Sequence, residues 1–299
     1  MRLVVLLLTG MCVSAGMSFD DKADSSRDHA LAYWKTNVRK HQGKLSETQT
    51  EHAVIYGTID AKQLENIGKA AEKAILFAQK SVGYDKEPVK RPNQQMTDRP
   101  SHWEGKLIIF VCKERHEFND LFYRLKQAKP ESNEYTLYVH DKDRSYVLLG
   151  PSNPPRKLNY EVLAVELAGA ATLTRRHDPI PHWFAAAFGR MLANRFDSKI
   201  FAAERSKVPY WAAKVHVRDL MMDDNPALEP GTLLPMQTSL VECLAQSSVF
   251  KEDWFKLLDE TAFRNGNLAA ALEELKYKLE TVQIEWKNSL WKSPGTREK

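Results

Sequence analysis

Residues 159–196 read NYEVLAVELAGAATLTRRHDPIPHWFAAAFGRMLANRF. The apolar spacing predicts two helices, separated by a break at Asp178-Pro179-Ile180-Pro181. The first helix is among the most apolar windows beyond the N-terminus, so its place is inside the protein. It carries a lone carboxylate, Glu166. A buried carboxylate is costly unless paired, and burial pushes its pKa upward.

This layout resembles the secreted gluzincin-type metallopeptidases, the peptidase MA-like group. Their first helix carries His-Glu-x-x-His, and their second opens Pro-x-Trp-Leu-x-Glu-Gly, with that Glu as third metal ligand. Here Glu166 falls on the Glu of the first motif. Pro181, Trp183, Phe184 and Ala185 fall on the Pro-x-Trp-Leu-Ala frame of the second. The ligand positions hold Val165, Gly169 and Ala186, none of which has a donor atom. In a zinc site of this kind two His at i and i+4 and a carboxylate from a neighbouring helix leave one position open for water. The metal lowers the pKa of that water and polarises the scissile carbonyl. Without donors the site cannot form, and the resemblance implies a pseudoenzyme with no cofactor. Glu166 is then a relic. Arg190, four residues beyond Ala186 on the same helix face, is the expected ion-pair partner in place of the metal. Glu166, Trp183 and Arg190 mark the expected binding cleft.

The rest of the chain gives this reading its setting. The 43% hydrophobic and 27% charged composition is that of a globular protein. The net charge is +4, and no basic tract carries interleaved aromatics, so nucleic-acid binding has little support. Residues 1–15 read as a signal peptide. Arg2 supplies the positive start, Leu3 to Val13 the apolar segment, and Val13-Ser14-Ala15 the small-residue exit. That apolar segment is too short to span a bilayer. Export to the periplasm or outside the cell is the expectation, with no stable membrane span after cleavage. Export permits disulfides, yet Cys112 and Cys243 fall in a strand and a helix, a setting that favours two buried thiols over a bridge.

The expected fold class is α+β. A leader occupies 16–48, with Leu31, Trp34 and Val38 on one face of a possible helix. A sheet subdomain covers 49–155, a helical subdomain 156–292 and a tail 293–299. Within the sheet subdomain, residues 52–59 and 106–112 read as strands, and 61–82 and 114–127 as helices. Asp60 is an N-cap. Residues 135–140 and 145–149 form a hairpin. Beyond Phe196 the sequence predicts helices over 199–222, broken at Pro209, and over 236–246, 254–263, 268–279 and 281–291. The strand–helix–strand–helix–hairpin order and the C-terminal helix pair also resemble the family, in which an edge strand of the sheet holds substrate by strand addition.

Other candidates weigh less. His177, Asp178 and His182 are ligand types, but they cluster around a Pro-bearing break and read as surface polar residues. No Gly-rich phosphate loop and no Gly-x-Ser-x-Gly elbow occurs. Three functions follow as expectations. The first is a secreted pseudopeptidase that binds a peptide or protein partner in the former cleft. The second is an active metal-dependent hydrolase with an unrecognised site. The third is a structural envelope protein whose cleft has filled.

Overall fold

A computed structural model describes residues 45–86, 105–132, 134–141, 144–151, 159–223, 225–228 and 231–291, with positions 32 and 36 besides. The expected signal peptide, most of the leader and the tail lie outside the described residues. Among the described residues, no helix is long and apolar enough to cross a membrane.

The protein is α+β. A five-stranded mixed sheet is followed by a chain of helices. The strands are β1 (Ser46–Gln49), β2 (Ala53–Gly57), β3 (Leu107–Val111), β4 (Thr136–Asp141) and β5 (Arg144–Leu149). Their order is β1-β2-β3-β5-β4. The three inner strands run parallel, and β1 and β4 close the edges antiparallel. Between β2 and β3 runs α1 (Ala61–Ser81), capped by the Asp60 carboxylate, which accepts from Lys62 and Gln63 N–H. After β3 comes α2 (Arg115–Lys126).

Side chains alternate across a strand, and here they feed two cores. Ala53, Ile55, Leu107, Ile109, Val147 and Leu149 face the large core shared with the helices. Phe110, Leu148 and Tyr146 face a smaller core under Phe118, Leu121 and Phe122 of α2. This explains the continuous apolar run in β3, which is buried on both faces.

The helical part begins with α3 (Tyr160–Arg176) and α4 (His182–Phe196). Asn159 caps α3 by accepting from Glu161 and Val162 N–H. Ala164, Val165, Ala168, Ala171 and Leu173 lie in the large core. Two short helices follow, α5 (Ala202–Arg205) and α6 (Val208–Ala212), and then a 3-10 turn at Val217–Leu220. The expected long helix over 199–222 is thus three short pieces. Pro209 sits in the first turn of α6, where its missing N–H costs nothing.

The chain ends with α7 (Leu233–Gln246), α8 (Trp254–Phe263), α9 (Leu268–Glu274) and α10 (Leu279–Trp291). The predicted helix over 268–279 stops early. Lys276 takes a positive φ of 67°, and Tyr277 N–H closes back onto Leu272 C=O at 2.8 Å. That is a six-to-one helix termination. β1 is a further difference, because part of the expected leader is an edge strand of the sheet. Cys112 and Cys243 are both buried and not bridged to each other, and burial pushes the Cys112 thiol up.

Candidate functional site

The site lies where α3 crosses α4, and the crossing is close because both helices carry glycine there. A Cβ on Gly189 would stand 2.0 Å from the Glu166 carbonyl oxygen. A Cβ on Gly169 would stand 2.6 Å from Leu192 Cδ1 and 3.3 Å from Gly189 Cα. Gly169 occupies the position of the second His in the resemblance. That position is therefore closed by packing as well as lacking a donor. Val165 is buried in the core, and Ala186 is partly exposed.

Glu166 emerges beside this crossing with its side chain 14% exposed. The Arg190 side chain is 16% exposed, and its Nε lies 3.4 Å from Glu166 Oε1. The spacing argument placed these two together, and the structure does so. Two further groups, which sequence reasoning missed, complete the cluster. Arg190 Nη1 lies 3.6 Å from Glu204 Oε2 on α5, and the guanidinium carbon sits 3.6 Å from the centre of the Phe201 ring. A residue in a short irregular connection leaves no periodic trace, so neither Phe201 nor Glu204 stood out.

The electrostatics of this cluster are mixed. Burial pushes the Glu166 carboxyl above its ordinary value, Arg190 pulls it down, and Glu204 pushes it up again. Burial dominates, so the pair does not recover the full cost of desolvating the carboxylate. Both Arg190 contacts exceed good hydrogen-bond length. Arg190 Nε and Nη1 are buried without a hydrogen-bond acceptor. What the arrangement does chemically is hold one cation between two carboxylates and an aromatic face.

Trp183 is buried and packs edge-on against Phe184, at 5.3 Å between ring centres. The backbone N–H of Trp183 donates to Asp223 Oδ1 at 2.7 Å, which supplies a cap to α4 after Pro181. Its ring belongs to the core.

His177 corrects an expectation. It is 2% exposed and not a surface residue. Its Nε2 lies 2.8 Å from Val82 C=O, and its Nδ1 3.2 Å from Asp259 Oδ1 on α8. The adjacent Arg176 donates to Gly83 and Lys86 C=O, and Trp254 Nε1–H donates to Ser81 C=O. These groups together satisfy carbonyls at and just beyond the C-terminal end of α1, which the helix itself leaves open. Asp178 and His182, by contrast, are exposed.

Among the described residues, one group of three His and carboxylate side chains brings its ligand atoms within 4.8 Å of one another. It is Glu51, His52 and Glu72, on the entry to β2 and on α1. Glu72 already accepts from the His52 backbone N–H at 3.0 Å and lies 2.5 Å from His52 Nδ1. That clamp fixes the start of β2 to α1.

The outer edge of β4 is the remaining feature. Gly150 N–H donates to Tyr135 C=O at 2.9 Å. Hydrogen-bonded pairs alternate along an antiparallel ladder. The backbone groups of Thr136, Tyr138 and His140 therefore point away from β5. Tyr138 turns its hydroxyl to Thr174 Oγ1 of α3, which sets the edge beside that helix.

No protein-family model matches this chain, and no curated protein matches it.

Proposed function

We propose that the protein is an exported, non-catalytic relative of the gluzincin-type peptidases that binds an extended peptide or protein segment along the outer edge of β4. The observation that carries this reading is the Glu166–Arg190 pair. The carboxylate in the place of the peptidase general base faces a guanidinium, and that guanidinium would repel a divalent cation. A side chain at Gly169 would press on Leu192 and on the Gly189 backbone, and two further donors are missing, so a single substitution there would not rebuild the site. Among the described residues no strand pairs with the outer side of β4, and this supports the binding half, because an extended peptide pairs with outward-pointing backbone groups whatever its sequence.

The test uses a peptide array with the wild-type protein, zinc in excess, and the variant Thr136→Pro. Proline at 136 removes an N–H that points away from β5 and leaves the β4–β5 ladder in place. Bound peptides should remain uncut and should lose affinity for the variant. Cleavage that Glu166→Gln abolishes would contradict the non-catalytic half. Binding indifferent to Thr136→Pro would contradict the β4 half.

A competing reading, a metal-dependent hydrolase, has one observation in its favour, the group of Glu51, His52 and Glu72. Cleavage that His52→Ala abolishes would select it.

A further inference from the structure

Arg190 balances two carboxylates without a hydrogen bond of good length to either. Its Nε and Nη1 are buried, yet neither has a hydrogen-bond acceptor. Of its two carboxylate neighbours, Glu166 is fixed in the helix crossing, while Glu204 is 45% exposed. Glu204 rides on α5, a single short turn none of whose residues is buried. The segment around it is tied mainly to itself. Lys199 N–H donates to Asp197 Oδ1 at 3.0 Å, and Arg205 Nη2 donates to Ser198 C=O at 2.6 Å. Phe201 packs against the large core and over the Arg190 guanidinium, and the Glu204 carboxylate lies beside the same guanidinium.

We propose that Arg190 is a receptor for a carboxylate, that Glu204 is the chain's own occupant of that seat, and that the free C-terminal carboxylate of a peptide takes the seat by displacing Glu204. This rests on the reading of the protein as a peptide binder and names the group of the peptide that Arg190 takes.

Three physical points carry it. Exchanging one carboxylate for another keeps the charge of the cluster unchanged, so no further charge is buried. A carboxylate free of the tether to α5 can close from 3.6 Å to the 2.7–2.9 Å of a charge-assisted hydrogen bond. Such bonds are roughly twice as strong as neutral ones, and Glu204, half in water, loses little on release. The Phe201 ring keeps one face of the guanidinium covered and so holds its plane for a carboxylate to meet edge-on.

The experiment measures binding of acetyl-trialanine as free acid and as C-terminal amide, and of sodium acetate, to the full chain and to Glu204→Gln. Glu204 is half exposed and belongs to no core, so the substitution leaves the fold intact. Removing the internal competitor should tighten the peptide acid by about tenfold and leave the amide unchanged. The gain should vanish in Glu204→Gln combined with Arg190→Gln. Acetate gaining as much as the peptide acid would overturn the peptide assignment and leave a receptor for small carboxylates. Acid and amide binding alike in both proteins would overturn the inference while sparing the β4 reading. Absence of any peptide binding would remove both.

Discussion

Two polar contacts on the same helix, α3, behave in opposite ways. At its C-terminal end, Arg176 and His177 reach across to α1 and α8, and their donors end on backbone carbonyls at 2.8–3.3 Å. At its middle, Glu166 meets Arg190 at 3.4 Å, and the guanidinium keeps buried N–H groups without acceptors. The first contact is a lock, because Arg176 and His177 place hydrogen bonds on carbonyls at and beyond the end of α1 while His177 also faces the Asp259 carboxylate of α8. The second is a compromise, because charge is balanced but hydrogen bonding is not. Folds tolerate such compromises where a function is, or was, housed. The comparison separates the part of α3 that ties helices together by hydrogen bonds from the part where charge is balanced without them.

The largest effect should come from the crossing that fixes the middle of the helix. Gly189→Ala drives a methyl group into the Glu166 carbonyl and should cost about 3 kcal/mol or prevent folding, read by urea denaturation. Gly169→Ala meets the movable end of Leu192 and should cost about 1 kcal/mol. If the two cost the same, the crossing is looser than described.

His177→Ala should come close behind Gly189→Ala. It leaves a cavity and removes a bond to the end of α1, at a cost of about 3 kcal/mol. Arg190→Gln should cost less, about 2 kcal/mol at neutral pH, because Glu166 and Arg190 retain some contact with water. If Arg190→Gln proves the more damaging of the two, lock and compromise have been assigned to the wrong ends.

Glu166→Gln should change stability at neutral pH by less than about 1 kcal/mol, and its diagnostic is the pH dependence. The folded protein holds the Glu166 proton more tightly than the unfolded chain, whose glutamates titrate near 4.5. Its contribution is therefore complete below that pH and is lost as pH rises through the raised folded value. Wild type should lose stability relative to Glu166→Gln across that window. Parallel profiles would show that Arg190 cancels the effect of burial, and a gain of wild type over Glu166→Gln with rising pH would show that Arg190 outweighs it. Smallest of all, Thr136→Pro should shift stability by under about 0.5 kcal/mol while removing peptide binding.

Much of this comparison was legible in the sequence, though unevenly. Apolar runs and helical spacing located β2, β3 and α1 through α4 to within a residue or two, because most of their apolar side chains are buried. The Glu166–Arg190 pair was legible because its spacing fixes both helix faces. His177 was misread because its burial depends on α1 and α8, which are distant in sequence and invisible to local pattern. β1 escaped because SETQ is a polar edge strand with half its side chains in solvent. Phe201 and Glu204 escaped because a single helical turn carries no periodicity. Locally encoded features were recovered, and features made by contacts between distant segments were not.

The most direct test of the central account is the zinc content of the purified full chain and of Glu166→Gln and His52→Ala, by elemental analysis after dialysis against trace zinc. Because Val165, Gly169 and Ala186 carry no donor atoms, the account predicts less than about a tenth of an equivalent at the α3–α4 crossing. Any zinc that does bind should disappear in His52→Ala and persist in Glu166→Gln. About one equivalent that survives His52→Ala and is lost in Glu166→Gln would place a working metal beside Arg190 and contradict the account.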